Sequence, residues 1–156
     1  MPVRLDTTAR SGTISDALSE GFSELQSLRD EIGEWRDNME EKLSQTEKYQ
    51  KVSDCADALD EIADCEDECV PPVHADDETK WAFSKKKSKK SPYPRWLRAQ
   101  NAVNALDAAK SEMQELVDDE DNEIEEDDRL SIQTCIDKLD EIIDGANSLE
   151  FPGMFG

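Results

Sequence analysis

The chain carries 39 Asp and Glu against 18 Lys and Arg in 156 residues, a net charge of −21 that opposes contact with nucleic acid and favours basic partners or cations. It has no run near the ~20 apolar residues of a membrane helix, and its start, MPVRLDTTARSGTISD, lacks the apolar centre of a signal peptide. It therefore reads as a single cytoplasmic domain, without a membrane partner and with its four cysteines as thiols.

Residues 1–12 read as a flexible N-terminus and 13–70 as a first helical hairpin. From Ile14, the apolar residues Leu18, Phe22, Leu25, Leu28, Ile32, Trp35, Met39 and Leu43 recur every three or four positions, the stripe of one long amphipathic helix. Ser44 and Glu47 have the spacing of a capping box, which predicts the start of a second helix with stripe Val52, Cys55, Leu59, Ile62 and Cys69, ended by Pro71 and Pro72. Residues 71–93 show no sustained period and read as a basic, aromatic connection. Residues 94–150 form a second hairpin: Pro94 suits a first turn, the third helix carries Trp96, Ala99, Val103, Leu106, Met113 and Leu116, and the fourth carries Leu130, Cys135, Ile136, Leu139, Ile142, Ile143 and Leu149. Residues 151–156 are an apolar tail. The fold class expected is all-α with almost no strand, two hairpins paired as a four-helix bundle that buries all four stripes. DCADALDEIADC (54–65) and TCIDKLDEIIDG (134–145) agree at seven of twelve positions and fall on the second helix of each hairpin, which suggests an internal duplication.

On those two helices Asp57, Asp60, Glu61 and Asp64, and again Asp137, Asp140, Glu141 and Asp144, cluster opposite the apolar stripe. Each set is either a solvated face or a binding surface. Its charge spacing approaches the ~1.7 Å per charge of duplex DNA, so a DNA mimic that occupies a DNA-binding protein is one alternative. The segment from Lys80 to Arg98 carries eight Lys or Arg and no acid, leaving −29 on the rest. There Lys85, Lys86, Lys87, Lys89 and Lys90 are interleaved with Trp81, Phe83, Tyr93 and Trp96, a pattern suited to single-stranded nucleic acid. The excess of acid elsewhere favours lysines that neutralise the protein's own helices, with the aromatics capping the bundle. Phe151, Met154 and Phe155 surround a Pro-Gly turn and serve either as a plug on the core or as an exposed binding tail.

Cys65, Cys69 and His74, with Cys55 or Cys135, are the residues from which a zinc site could be drawn, but they lack the C-x-x-C spacing. The acidic run 118–128 has Ile124 where a calcium loop needs glycine. No residue is assigned to a metal, no cofactor is expected, and the single histidine and absent phosphate loop leave little for nucleophilic catalysis. The motifs Glu31-x-x-Glu34 and Glu61-x-x-Asp64 on successive helices resemble the paired acidic motifs of the all-α nucleotide pyrophosphohydrolases of the MazG type, and the resemblance implies Mg²⁺ held by four carboxylates as a further alternative. LQSLRDEIGEWRDNMEEKLSQTEKYQ (25–50) resembles small acidic helical proteins of bacteriophages and mobile elements over about residues 20–66. That resemblance transfers no functional residue, but it implies the binding of a host protein in the host cytoplasm. The primary expectation is a non-enzymatic module that binds a protein with a basic surface.

Overall fold

A computed structural model describes residues 5–43, 46–63, 78–86, 95–119 and 124–151. In chain order the elements are β1 (Leu5–Thr13), α1 (Ile14–Leu43), α2 (Glu47–Ala63), β2 (Glu78–Lys86), α3 (Arg95–Asp118) and α4 (Glu126–Asn147). The protein is thus mostly helical, as its periodicity predicts. The two strands are a correction. They form one antiparallel sheet in which Ala9 faces Ala82 and the ends pair Leu5 with Lys86 and Thr13 with Glu78. β1 takes up residues read as a flexible terminus and ends on Thr13, the first residue read as helical hairpin, and β2 lies within those read as a connection.

From Ile14 to Met39 the stripe of α1 is buried as predicted except for the half-buried Trp35, with Ile14, Phe22, Leu25, Leu28 and Ile32 fully enclosed, and the Leu43 side chain lies outside the described residues. Its start is fixed by a reciprocal capping box: the Asp16 backbone N–H donates to Thr13 Oγ1 at 3.0 Å, and the Thr13 N–H donates to Asp16 Oδ2 at 3.1 Å. α2 begins at Glu47 rather than Ser44, because Thr46 is the residue that caps it, its Oγ1 accepting from the Tyr49 N–H at 3.1 Å. Ser44 lies outside the described residues. The buried face of α2 is Val52, Cys55, Ala56, Leu59, Ile62 and Ala63. Three acids in the first turn of α4, Glu126, Asp127 and Asp128, meet the positive end of its dipole. Arg129 donates to the Val117 carbonyl and so ties the start of α4 to the end of α3.

α3 lies at the middle of the packing. It contacts α1, α4 and β2, while α1 also packs on α2, and α2 touches α4 more lightly. Its buried residues accordingly spread around the helix: Leu97, Ala99, Asn101, Ala102, Val103, Ala105, Leu106, Ala109 and Met113. This corrects the predicted stripe at two points. Trp96 is 48% exposed and its neighbour Leu97 is enclosed instead; on α4, Leu130 is 60% exposed and the buried face starts at Ile132. In each case the buried face begins one or two residues later than predicted.

The sheet is pinned to the helices through its inner face. Trp81 is buried, its indole N–H donating to Glu20 of α1, and Glu20 also pairs with Arg10 of β1. The Arg10 guanidinium lies 3.5 Å from the centre of the Phe83 ring.

Candidate interaction site

The two acidic faces are set by the phase of α2 and α4. Residues 51–63 and 131–143 follow the same order of buried, half-buried and exposed positions throughout. Six buried side chains of α2 (Val52, Cys55, Ala56, Leu59, Ile62 and Ala63) match Ile132, Cys135, Ile136, Leu139, Ile142 and Ile143 of α4. The acids fall between them: Asp57, Asp60 and Glu61 are exposed, and so are Asp137, Asp140, Glu141 and Asp144. Asp64 lies outside the described residues.

Each face receives a cation from the neighbouring helix. Arg36 of α1 reaches Asp57 at 3.2 Å, and Lys110 of α3 pairs with Asp140. Lys138 lies 3.5 Å from Glu141, and Asp137 accepts from the Gln133 amide at 3.0 Å. The hydrogen bond to Asp140 holds the Lys110 ammonium above its usual range against the opposing effect of burial, with the charges of Asp140, Asp107 and Asp144 adding to it. The faces thus keep a surplus of negative charge around a few fixed pairs.

Between α1 and α2 runs an open groove of about 380 Å³ lined by Arg29, Arg36, Asp30, Glu34, Asp37 and Asp60 with Gly33 and Ala56 as small residues. Glu34 therefore faces this groove, whereas Glu31 turns to α3, where it pairs with Arg98. Glu61 is exposed, and Asp64 lies outside the described residues. The acids of the two motifs serve different neighbours. Among the described residues no group of three or more His, Cys, Asp or Glu side chains is placed to hold a metal ion. Cys65, Cys69 and His74 also lie outside the described residues, and Cys55 and Cys135 are buried and not joined in a disulfide. Burial pushes the Cys55 thiol up to about 11, opposed by the charge of Arg95.

Of the basic segment, Lys85 and Lys86 belong to the end of β2, opposite Asp6 and Leu5. Lys87, Lys89, Lys90 and Tyr93 lie outside the described residues. Trp81, enclosed by the fold, does not present a stacking surface, and Phe83 is half-buried beneath Arg10. In the tail, Phe151 packs against the core and lines a groove of about 180 Å³ with Trp96 and Leu149. Met154 and Phe155 lie outside the described residues.

Three features escaped the sequence reading. Arg98 of α3 pairs with both Glu24 and Glu31 of α1 and donates to Ser27 Oγ at 3.0 Å. Burial works against its charge, but the hydrogen bonds and charges of the two carboxylates more than offset this and raise it above its ordinary range. Trp35 carries two cations, Lys48 at 5.6 Å and Arg95 at 5.1 Å from its ring centre, with the Arg95 Nε buried without a hydrogen-bond partner. The third is an open groove between β2 and α3, lined by Lys80, Ala82, Asn104, Asp107, Ser111 and Glu112 among others. Only the isolated Arg98 within an otherwise uncharged run, WLRAQNAVNAL, was a signal available in advance.

No helix of the described residues is long and apolar enough to cross a membrane. No family model, curated protein or solved structure matches the chain.

Proposed function

We propose that the protein is a non-enzymatic interaction module, an internally duplicated unit of one strand and two helices whose four helices form a bundle and whose two acidic faces engage a basic protein surface. The observation that carries this reading is the match between residues 51–63 and 131–143, in which both the buried set and the outward carboxylates recur at an offset of 80. A solvated helix face needs charge somewhere on its outer side; it does not need the charges at the same positions twice.

The duplication draws further support from three points. The order strand, helix, helix occurs twice. The two strands pair with each other, in opposite directions. Gly21 of α1 packs against Ala102 of α3, 81 residues further on, close to the offset of the second helices. Strands and first helices differ in their junction: α1 follows β1 directly, whereas residues 87–94 stand between β2 and α3.

The test compares the native chain with one in which Asp57, Asp60, Asp137 and Asp140 are changed to Asn and Glu61 and Glu141 to Gln. Both are immobilised and offered the same cell lysate at low salt. Proteins held by the native chain, released by added salt and absent from the amidated one are the expected result, and equal capture by both overturns the reading. If captured proteins are displaced by duplex DNA, the acidic faces imitate DNA. Hydrolysis of nucleoside triphosphates by the purified chain with Mg²⁺ would replace the binding reading with an enzymatic one.

A further inference from the structure

We propose that the open groove between α1 and α2 seats an arginine side chain presented by a basic partner protein, with Glu34 and Asp60 taking its guanidinium. This rests on the reading of the chain as a binding module for basic partners, and it narrows that reading to one half of the molecule.

The two halves can be compared position by position. Residues 28–37 of α1 and 109–118 of α3 follow the same order of buried, half-buried and exposed positions, as residues 51–63 and 131–143 do on the second helices. At these offsets Asp60 corresponds to Asp140, Arg29 to Lys110 and Gly33 to Gln114. In the second half the outward carboxylate has its cation, because Lys110 crosses from α3 to Asp140. In the first half Arg29 Nε donates instead to its neighbour Asp30 at 3.3 Å, and Arg36 serves Asp57 at 3.2 Å and Asp37 at 3.8 Å. Among the described residues neither Asp60 nor Glu34 has a side-chain ion pair or hydrogen bond.

Space accompanies the missing cation. The groove of about 380 Å³ is lined by Glu34 and Asp60 with Gly33 and Ala56 between the charges. This lies within the ~300–1,000 Å³ of typical binding clefts. A Cβ placed on Gly33 would meet nothing within 4 Å, whereas the second half has a glutamine side chain at that position. Of the four carboxylates in the lining, Asp30 and Asp37 pair with its two arginines, so the surplus negative charge rests on Glu34 and Asp60. Unfilled space beside such a surplus is complementary to a long cationic side chain, whose stem covers Gly33 and Ala56 while its head meets the acids. A guanidinium suits acids from two helices better than an ammonium, because its planar fork donates in two directions. Arg98 already does this between Glu24 and Glu31.

The experiment uses the full chain labelled with ¹⁵N, the peptide acetyl-Gly-Arg-Gly-amide, and a counterpart with citrulline, which keeps the shape of arginine without its charge. Ionic strength is held constant. The arginine peptide is expected to move the amide signals of Gly33, Glu34, Ala56 and Asp60 ahead of all others, and the citrulline peptide to leave them in place. Gly33→Leu keeps every charge and fills the groove, and a helix favours leucine over glycine. It should abolish the shifts at Glu34, Ala56 and Asp60 with the helical spectrum retained. Asp60→Asn should weaken binding about threefold, the worth of one exposed ion pair. Undiminished shifts in Gly33→Leu overturn the groove, as do shifts spread equally over residues 57–61 and 137–144, and both results leave the acidic-face reading standing. No shift at all also overturns the groove, and the lysate comparison then decides the acidic faces by itself.

Discussion

Gly21 of α1 lies directly against Leu106 of α3: a Cβ added to the glycine would stand 2.6 Å from two of the leucine side-chain carbons and 3.1 Å from the Ala102 carbonyl oxygen. The two helices approach this closely because one of them has no side chain at the crossing. Gly33, three turns along the same helix, is the opposite case, with nothing within 4 Å of the added atom. Gly21→Ala is expected to destabilise the protein, since overpacking at ~1–3 kcal/mol exceeds the ~1 kcal/mol gained from helix propensity. Gly33→Ala is expected to stabilise it by ~0.5–1 kcal/mol. Urea midpoints that move in the same direction for both variants would contradict this account of the α1–α3 crossing.

Arg98 holds two acids of α1 with a side chain only 19% exposed, while Glu24 and Glu31 are 33% and 42% exposed. Arg98→Met should cost ~1–2 kcal/mol, discounted from a buried pair because the acids remain partly solvated. Arg98→Lys should recover only part of this, because an ammonium does not offer the planar fork that reaches two carboxylates and Ser27 at once. A lysine variant as stable as the native chain would show that charge alone matters there.

Stability should fall in alkali. The Cys55 thiol is raised from 9.0 to about 11, chiefly by burial, so the folded state retains a proton there that the unfolded chain releases. That contribution is complete below pH 9 and is lost as pH rises toward 11, the sign for any group raised by folding. Lys110, raised by its bond to Asp140, acts in the same direction at higher pH. Melting temperatures between pH 7 and 11 should decline, and Cys55→Ala should flatten the part between 9 and 11. In a chain with Cys65 and Cys69 changed to Ser, the remaining thiols of Cys55 and Cys135 should resist Ellman's reagent at pH 8 until the protein is unfolded. Rapid reaction in the folded state would rule out the enclosure described above.

Added salt should raise the melting temperature. Screening shortens the reach of repulsion from ~30 Å at 0.01 M to ~8 Å at 0.15 M, and a net charge of −21 leaves repulsion in excess. The pairs of Arg98, Arg36 and Lys110 oppose this trend, but they are short-range contacts that moderate salt screens less. A melting temperature that falls between 0.01 and 0.15 M would mean these pairs dominate.

The helices were legible because their signal is local and repeated. Ile14 to Met39 recur at spacings that only one helical face satisfies, and all but Trp35 of that stretch are buried. α3 was less legible because it meets neighbours on several sides, so its pattern of small residues, Ala99, Ala102, Ala105 and Ala109, has no single face to mark. The strands were illegible for a different reason. LDTTARSGT has almost no apolar residue to alternate, and the alternation in β2 (Thr79, Trp81, Phe83) is three positions long beside a run of lysines. Their pairing depends on partners distant in sequence. The acidic faces could be placed from helical phase alone, but the cations that reach them, Arg36 and Lys110, come from other helices and follow only from the packing.

The pairing of Ala9 with Ala82 also bears on how the chain is made. β1 emerges from the ribosome first, yet its partner is 73 residues behind, a delay of ~4–15 s at 5–20 residues per second. α1 and α2 are complete well before β2, and their contacts join residues near in sequence, the kind that form fastest. Throughout that interval the first strand exists only as an unpaired segment attached to a finished helix. Its composition suits the wait: with so little apolar surface in Leu5–Thr13, it gives a neighbouring nascent chain little to adhere to.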